Sequence, residues 1–156
     1  MSIRLRAVEP SDRDFLWDMQ YEALYVPPGA NPYPRSVLDE PGIAHYIVDF
    51  GDLAGDVGFV AEVAGQRVGA AWGRRLPADD PGYGWVDEHT PELGIAVVAD
   101  RRGEGIGSKL LAALLELAPR MSLSVDDRNP ATALYARFGF EPVAADGHSV
   151  TMLRQA

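Results

Sequence analysis

The sequence predicts one α+β domain over residues 1–156, in which strands and helices follow the order βααβββαβαββ. Two observations lead to this prediction. The chain has 156 residues, the size of one ordinary domain, and its 47% hydrophobic and 24% charged residues are typical of a globular protein. It also contains no internal repeat and no linker long enough to divide it.

The chain opens with the patterns of a strand, a helix and a loop. Residues 2–8 alternate apolar and polar side chains, which predicts a half-buried strand that Pro10 ends. Ser11 is an acceptable N-cap, and apolar residues at helical spacing then predict a helix to about Leu24. Residues 25–34 contain four prolines and one glycine, so we expect an aromatic loop there.

The middle of the chain predicts short helical turns and a hairpin. Residues 36–50 suit one or two helical turns, broken by a Pro-Gly pair. Two β-rich runs, 57–63 and 67–75, are separated by Ala-Gly-Gln, a composition typical of a hairpin. Residues 77–91 hold three prolines and two glycines and therefore predict a second loop.

The second half predicts alternating strands and helices. Residues 92–98 form a continuous apolar run typical of a buried strand, in which Gly94 is interpreted as the mark of a bulge. The apolar positions of 106–118 trace one face of a helix. The remaining patterns predict a strand, a helix and two final strands, at 121–125, 129–138, 140–143 and 149–153.

Composition and charge exclude several classes of function. The chain contains no cysteine, which rules out disulfides, thiolate metal sites and cysteine nucleophiles. Its net charge of -9 argues against duplex nucleic acid as a partner, because phosphate contacts need a basic face. No apolar run is long enough to span a bilayer, and charges interrupt the N-terminal segment where a signal peptide is apolar. We therefore expect a cytoplasmic protein without a membrane partner, a nucleic-acid partner or a metal.

A glycine-rich segment between a predicted strand and a predicted helix points to anion binding. The strand runs into RRGEGIGSK at 101–109 and from there directly into the helix. The first N–H groups of a helix have no internal partner and lie at the positive end of its dipole, so a glycine-rich entry lets a diphosphate approach them. Arg101, Arg102 and Lys109 add positive charge to an otherwise acidic chain.

Spacing separates three phosphate-binding patterns that share a strand, a glycine loop and a helix. The P-loop requires a glycine directly before Lys-Ser/Thr, but Ser108 precedes Lys109 here, which excludes it. The dinucleotide fingerprint requires G-x-G-x-x-G, whereas these three glycines are spaced two and two. Asp126, about 20 residues further on, does fit that fingerprint, so a nucleotide-binding oxidoreductase stays a weaker alternative.

The third pattern fits, and it carries a family resemblance. RGEGIG at 102–107 matches the signature Q/R-x-x-G-x-G/A of the GCN5-related N-acetyltransferase (GNAT) family. The strand ELGIAVV before it, the helix SKLLAALLEL after it, and then MSLSV and NPATALYARFGF resemble that family in order and spacing. The resemblance implies a central mixed twisted sheet of six to seven strands, flanked by about four helices, whose central parallel strands splay apart.

The resemblance implies that acetyl-CoA enters the gap between these strands as a cosubstrate. In this family the pantetheine arm pairs with the backbone of the first strand, here Ala96, Val97 and Val98, and one of their N–H groups polarises the thioester carbonyl. The loop that wraps the diphosphate would comprise Arg102, Gly103, Glu104, Gly105, Ile106, Gly107 and Ser108. Asn129 resembles the asparagine that contacts the pantetheine or thiol region, although an N-cap role explains it nearly as well.

Two residues match catalytic positions of the family. Tyr135 resembles the tyrosine that donates a proton to the departing thiolate. Glu92, at the start of the cofactor strand, resembles the position that many members use as general base through water. The neighbouring side chains at 87–89 (Asp87, Glu88 and His89) are alternatives, and some relatives use no side-chain base.

The resemblance further implies an N-acetyltransferase that acts on a primary amine of a small molecule or a peptide by direct attack in a ternary complex. The segments that select the acceptor in this family are rich in tyrosine and acidic residues here, which suits a cationic amine. The alternative is a non-catalytic acyl-CoA-binding or sensing module on the same fold. Either would be a monomer or a homodimer.

Overall fold

The computed structural model describes residues 2–156 and follows the predicted order of elements. The strands are β1 Ile3–Ala7, β2 Val57–Val63, β3 Gln66–Arg74, β4 Glu92–Val97, β5 Met121–Asp126, β6 Glu141–Asp146 and β7 Ser149–Arg154. The α-helices are α1 Arg13–Ala23, α2 Pro41–Ala44, α3 Ile106–Leu117 and α4 Ala131–Arg137. The prolines of the two predicted loops leave those segments without strand or α-helix, as expected.

All seven strands form one open sheet in the order β1-β2-β3-β4-β5-β7-β6. Only β4 and β5 run parallel, and their register is limited to Glu92 opposite Ser122. One further hydrogen bond, from the Ser122 N–H to the Pro91 carbonyl at 3.0 Å, closes this end. The two strands separate beyond it, which confirms the mixed seven-stranded sheet with splayed central strands.

Two apolar cores lie on the two faces of the sheet. On one face, α3 buries the leucines of its apolar stripe, Leu110, Leu111 and Leu114, among residues of the central strands. On the other face, α1 packs Leu16 against Trp72 of β3. β4 therefore contributes to both cores, whereas β5 contributes to the first core only. Of the helices in the described part of the chain, none is long and apolar enough to cross a membrane.

The entry to α1 differs from the predicted one. Ser11 does not cap the helix, because a 3-10 turn at Pro10–Asp12 precedes it. Asp12 is 1% exposed and accepts a hydrogen bond of 2.8 Å from the Glu9 N–H. Two further hydrogen bonds, of 2.7 and 2.9 Å, come from Arg6. The buried carboxylate is neutralised by this guanidinium, an interaction that the Ser11 hydroxyl could not replace.

The interpretation of Gly94 as a bulge is wrong. The register between β3 and β4 is continuous, and Trp72 lies opposite Gly94. A Cβ atom at Gly94 would lie 2.4 Å from two indole carbons of Trp72. The glycine is therefore needed for the close approach of the buried indole to the strand backbone.

Candidate active site

The glycine-rich segment forms an open cradle at the start of α3. Gly103 and Gly105 have φ angles of 83° and 82°, the left-handed region that favours glycine. A Cβ atom at either position would meet nothing within 4 Å, so conformation and not crowding selects glycine. The first-turn N–H groups of α3, from Ile106 onward, point out of the helix end toward this cradle. This geometry suits a diphosphate.

A cavity of about 860 Å³ extends from this cradle along the end of β4, between the end of α1 and α4; we call it the coenzyme cavity. Most of the residues predicted to bind the coenzyme line it, namely Ala96, Val97, Arg102, Gly103, Gly105, Ile106, Gly107, Ser108 and Asn129. Val98 and Glu104 do not. The Val98 N–H donates to the Val68 carbonyl at 2.8 Å, and Glu104 lies 3.5 Å from Arg101 in an ion pair. The Val98 N–H and the Glu104 carboxylate are therefore engaged in contacts outside the coenzyme cavity.

The pairing of β4 with β3 decides which backbone groups face the gap. Backbone groups of successive residues in a strand point to opposite sides, and Val98 points toward β3. Ala96 then also points toward β3, whereas Ile95 and Val97 turn their N–H and C=O groups toward β5. The Val97 carbonyl accepts a hydrogen bond of 3.1 Å from Nε of Arg102. Ile95 was not singled out from the sequence, because its orientation depends on the register with β3.

A second cavity, of about 430 Å³, lies in the gap between β4 and β5 and is lined by residues of both strands; we call it the acceptor cavity. The structure brings both predicted catalytic residues, Glu92 and Tyr135, to its wall. Ile95, Asn129 and Tyr135 line both cavities. Four residues at the end of α1 and in the loop that follows it also line both: Ala23, Leu24, Tyr25 and Tyr33. The two cavities therefore meet between this segment, β4 and α4.

Tyr135 presents a protonated hydroxyl at this junction. Burial raises the pKa of its phenol to about 12, so the group keeps its proton at neutral pH. Its ring packs edge-on against Phe140, with 6.0 Å between the centroids. Asn129 serves as a helix cap, since its Oδ1 accepts a hydrogen bond of 2.9 Å from the Ala131 N–H. That cap also holds the asparagine in place beside Tyr135.

Glu92 is a buried carboxylate held by several donors. The residue is 1% exposed. Its Oε1 accepts hydrogen bonds from the Tyr46 hydroxyl at 2.9 Å and from the Gly84 N–H at 2.9 Å. Oε2 accepts a bond of 3.1 Å from the Gly82 N–H. Burial raises the pKa of Glu92, and these hydrogen bonds oppose that rise. A carboxylate with a raised pKa is a stronger base than an exposed one.

Glycine at position 82 is required for this arrangement. A Cβ atom there would lie 2.3 Å from both carboxylate oxygens of Glu92 and from the Tyr46 hydroxyl. The loop can therefore approach Glu92 closely enough to donate its N–H groups only with glycine at this point. The Tyr46 hydroxyl accepts a further bond of 2.8 Å from the Tyr83 N–H, which ties the loop to both side chains.

A buried ion pair between Arg74 and Asp56 holds the segment that carries Tyr46. Arg74 is 1% exposed, and its guanidinium pairs with Asp56 at 3.0 and 2.8 Å. The same guanidinium donates to the carbonyls of His45 at 3.1 Å and Val48 at 2.6 Å, on either side of Tyr46. The segment that carries Tyr46 is thereby fixed against β3. The sequence showed no sign of this network, because its members are far apart along the chain.

The alternative base residues lie elsewhere. Asp87 accepts hydrogen bonds from the Thr90 hydroxyl at 2.8 Å and from Arg120 at 3.2 Å, and the Thr90 bond above all lowers the pKa of its carboxyl. Asp87, Glu88 and His89 line neither cavity. Asp126, which fitted the dinucleotide fingerprint, does not line the coenzyme cavity. It lies instead in the wall of the acceptor cavity.

Comparison with known proteins identifies the family of the chain. The family model described as the Acetyltransferase (GNAT) family matches residues 16–140. The match begins within α1 and ends just before β6. The chain belongs to the GNAT family of acetyltransferases. This membership places it among the acyltransferases. A search of curated proteins found no significant match.

Solved GNAT structures share the fold at low sequence identity. The PaiA N-acetyltransferase of Thermoplasma acidophilum, solved in complex with coenzyme A, is 15% identical, with a TM-score of 0.71 and 100% of both chains covered. The ribosomal-protein-alanine N-acetyltransferase of Brucella melitensis is 21% identical, with a TM-score of 0.68 and 98% and 99% covered. The GNAT domain of S. lividans PAT is 19% identical, with a TM-score of 0.69 and 97% and 89% covered. At these identities the likeness shows the fold alone.

Proposed function

We propose that the protein is an N-acetyltransferase that transfers the acetyl group of acetyl-CoA to a primary amine of a small molecule or a peptide. The observation that carries this proposal is the junction of the two cavities. A coenzyme in one cavity and an amine in the other would meet at Tyr135, inside the gap between the splayed strands. Both substrates can therefore be bound at once, as direct transfer requires.

The coenzyme would be held by its diphosphate and its pantetheine arm. The cradle at Gly103 and Gly105 offers the diphosphate the N–H groups of the first turn of α3, with Arg102 beside it. The pantetheine arm would pair with the backbone of Ile95 and Val97 along the open side of β4. An N–H group there would donate a hydrogen bond to the thioester oxygen and stabilise the negative charge that develops on it. The Val97 carbonyl can bind the pantetheine arm only after its hydrogen bond with the Arg102 side chain breaks.

The transfer is an attack of the neutral amine nitrogen on the thioester carbonyl carbon. A primary amine has a pKa of about 10, so its deprotonation at pH 7 costs about 4 kcal/mol. Glu92 takes this proton through water. The N–C bond forms, the C–S bond breaks, and the departing thiolate takes the proton of the Tyr135 hydroxyl. The nitrogen gives up its surplus proton as the amide forms, and a proton from solvent restores the Tyr135 hydroxyl. The products are an N-acetyl amide and free coenzyme A, and no metal takes part.

Release of free thiol from acetyl-CoA in the presence of amines tests this function. We expect turnover with small primary amines, and we expect Tyr135→Phe to lose turnover while its affinity for acetyl-CoA persists. A non-catalytic binding module would bind acetyl-CoA and show no thiol release with any amine or peptide. Thermal stabilisation by NAD and not by acetyl-CoA would instead favour the oxidoreductase alternative.

The other expectations from the sequence stay predictions. These are the single-domain organisation over residues 1–156, a cytoplasmic location, the absence of membrane and nucleic-acid partners, and a monomeric or homodimeric state.

A further inference from the structure

The acceptor cavity has an acidic and aromatic lining. Three carboxylates line it, those of Glu40, Glu92 and Asp126, together with five tyrosines. Within the described part of the chain, no lysine, arginine or histidine lines this cavity. A ligand with a carboxylate would therefore have to leave water without finding a cation, which is costly.

The three carboxylates differ in what already holds them. Asp126 is matched by Arg128, whose Nε and Nη2 donate to it at 2.9 and 2.7 Å. Glu92 is fixed by its three donors at the start of β4. The Glu40 carboxylate is exposed and makes no hydrogen bond or ion pair with any described residue. Glu40 thus contributes a negative charge to the cavity that nothing in the described chain matches.

We propose that the acceptor is a small diamine: a primary amine that carries a second positive charge and no carboxylate. This proposal rests on the proposed function, because it places the reacting amine near Glu92 and Tyr135. The second ammonium group then lies at Glu40, and the alkyl chain between them contacts the tyrosine rings. Tyrosine faces attract cations, and the net charge of -9 draws such molecules toward the protein.

Three amines of one chain length test this assignment: butylamine, 1,4-diaminobutane and 4-aminobutyrate. They differ only in whether the far end is neutral, positive or negative. We expect kcat/KM for the diamine to exceed that for butylamine by about fivefold, the effect of an exposed ion pair. We expect 4-aminobutyrate to fall below butylamine by about tenfold or more, because its carboxylate meets only negative charge.

Two variants assign the preference to Glu40. Glu40→Gln removes the charge and keeps the shape, so the ratio of kcat/KM for diamine over butylamine should fall about fivefold. Glu116→Gln removes the same charge from an exposed position on α3 that lines neither cavity. That control should keep the wild-type ratio. Equal loss in both variants would show that only the overall charge matters and would overturn the role of Glu40.

The outcomes separate this inference from the proposed function. Equal kcat/KM values for the three amines, or a preference for 4-aminobutyrate, would overturn the inference and leave the acetyltransferase function intact. If none of them releases thiol, calorimetric binding of the same amines to the protein saturated with coenzyme A decides. Tighter binding of the diamine would then uphold the preference of this cavity for a dication and would overturn acetyl transfer, whereas equal or undetectable binding would overturn the preference itself.

Discussion

Replacing Tyr46 by phenylalanine tests whether Glu92 acts as the base and whether its surroundings set its protonation. The change removes one of the three hydrogen bonds that the Glu92 carboxylate accepts, the bond of 2.9 Å from the Tyr46 hydroxyl. Hydrogen bonds to a carboxylate favour its charged form and therefore lower its pKa. Loss of this bond leaves the burial of Glu92, which raises the pKa, less opposed.

The size of the effect follows from the strength of one such bond. A hydrogen bond to a charged group contributes about 1.5–3 kcal/mol, and a tenfold change in protonation corresponds to about 1.4 kcal/mol. Water that enters the space of the lost hydroxyl replaces part of the bond. We therefore expect the acid limb of the pH profile of kcat/KM to move to higher pH by about one unit. The base must be deprotonated to act, so the variant loses activity at low pH first.

The measurement is kcat/KM for one amine between pH 5 and 9, in wild type, Tyr46→Phe and Tyr83→Phe. Tyr83 also lines the acceptor cavity, but its contact with Tyr46 is through its backbone N–H, which the substitution keeps. The Tyr83→Phe profile should therefore show no shift. A Tyr46→Phe profile that keeps its position, or moves to lower pH, would refute the assignment of Glu92 as the base.

Three further substitutions test other parts of the site and the fold. Tyr135→Phe should lower kcat about 100-fold with little change in the Kd of acetyl-CoA, because the substitution removes a proton donor. A kcat within about twofold of wild type would show that Tyr135 takes no part in the mechanism. Gly94→Ala places a methyl group 2.4 Å from the Trp72 indole, so the free energy of unfolding in urea should fall by about 1–3 kcal/mol, and an unchanged value would contradict the close packing described. Arg74→Met leaves the carboxylate of Asp56 buried and unpaired, and should cost about 3–5 kcal/mol by the same assay, whereas the double variant with Asp56→Asn should recover part of it.

Much of the fold could be predicted because its signals are local. Alternation of apolar residues predicts β1, and the helical spacing of leucines predicts α3. Glycines at 103 and 105 predict a turn with left-handed backbone, and both residues have positive φ angles. Each of these signals depends on residues close together in the chain. The parallel strands and their separation needed the family resemblance, since no local pattern specifies which strands pair.

The parts that were missed depend on contacts between distant residues. The Tyr46 hydroxyl meets a carboxylate 46 residues further on, and Arg74 meets Asp56 across 18 residues. Ser11 suits a helix cap by its residue type, but a 3-10 turn that contains it precedes α1, and the carboxylate of the next residue, Asp12, binds Arg6 of β1. In each case a charged or polar partner brought in by the fold outweighs the local preference.

A crystal structure of the protein with acetyl-CoA would test most directly whether the glycine cradle and the gap between β4 and β5 form one coenzyme site. We expect the diphosphate within hydrogen-bonding distance of the N–H groups of residues 105–107. We also expect the thioester between the backbone of Ile95 or Val97 and the hydroxyl of Tyr135. A coenzyme bound elsewhere, or bound with its acetyl group away from Tyr135, would contradict these expectations.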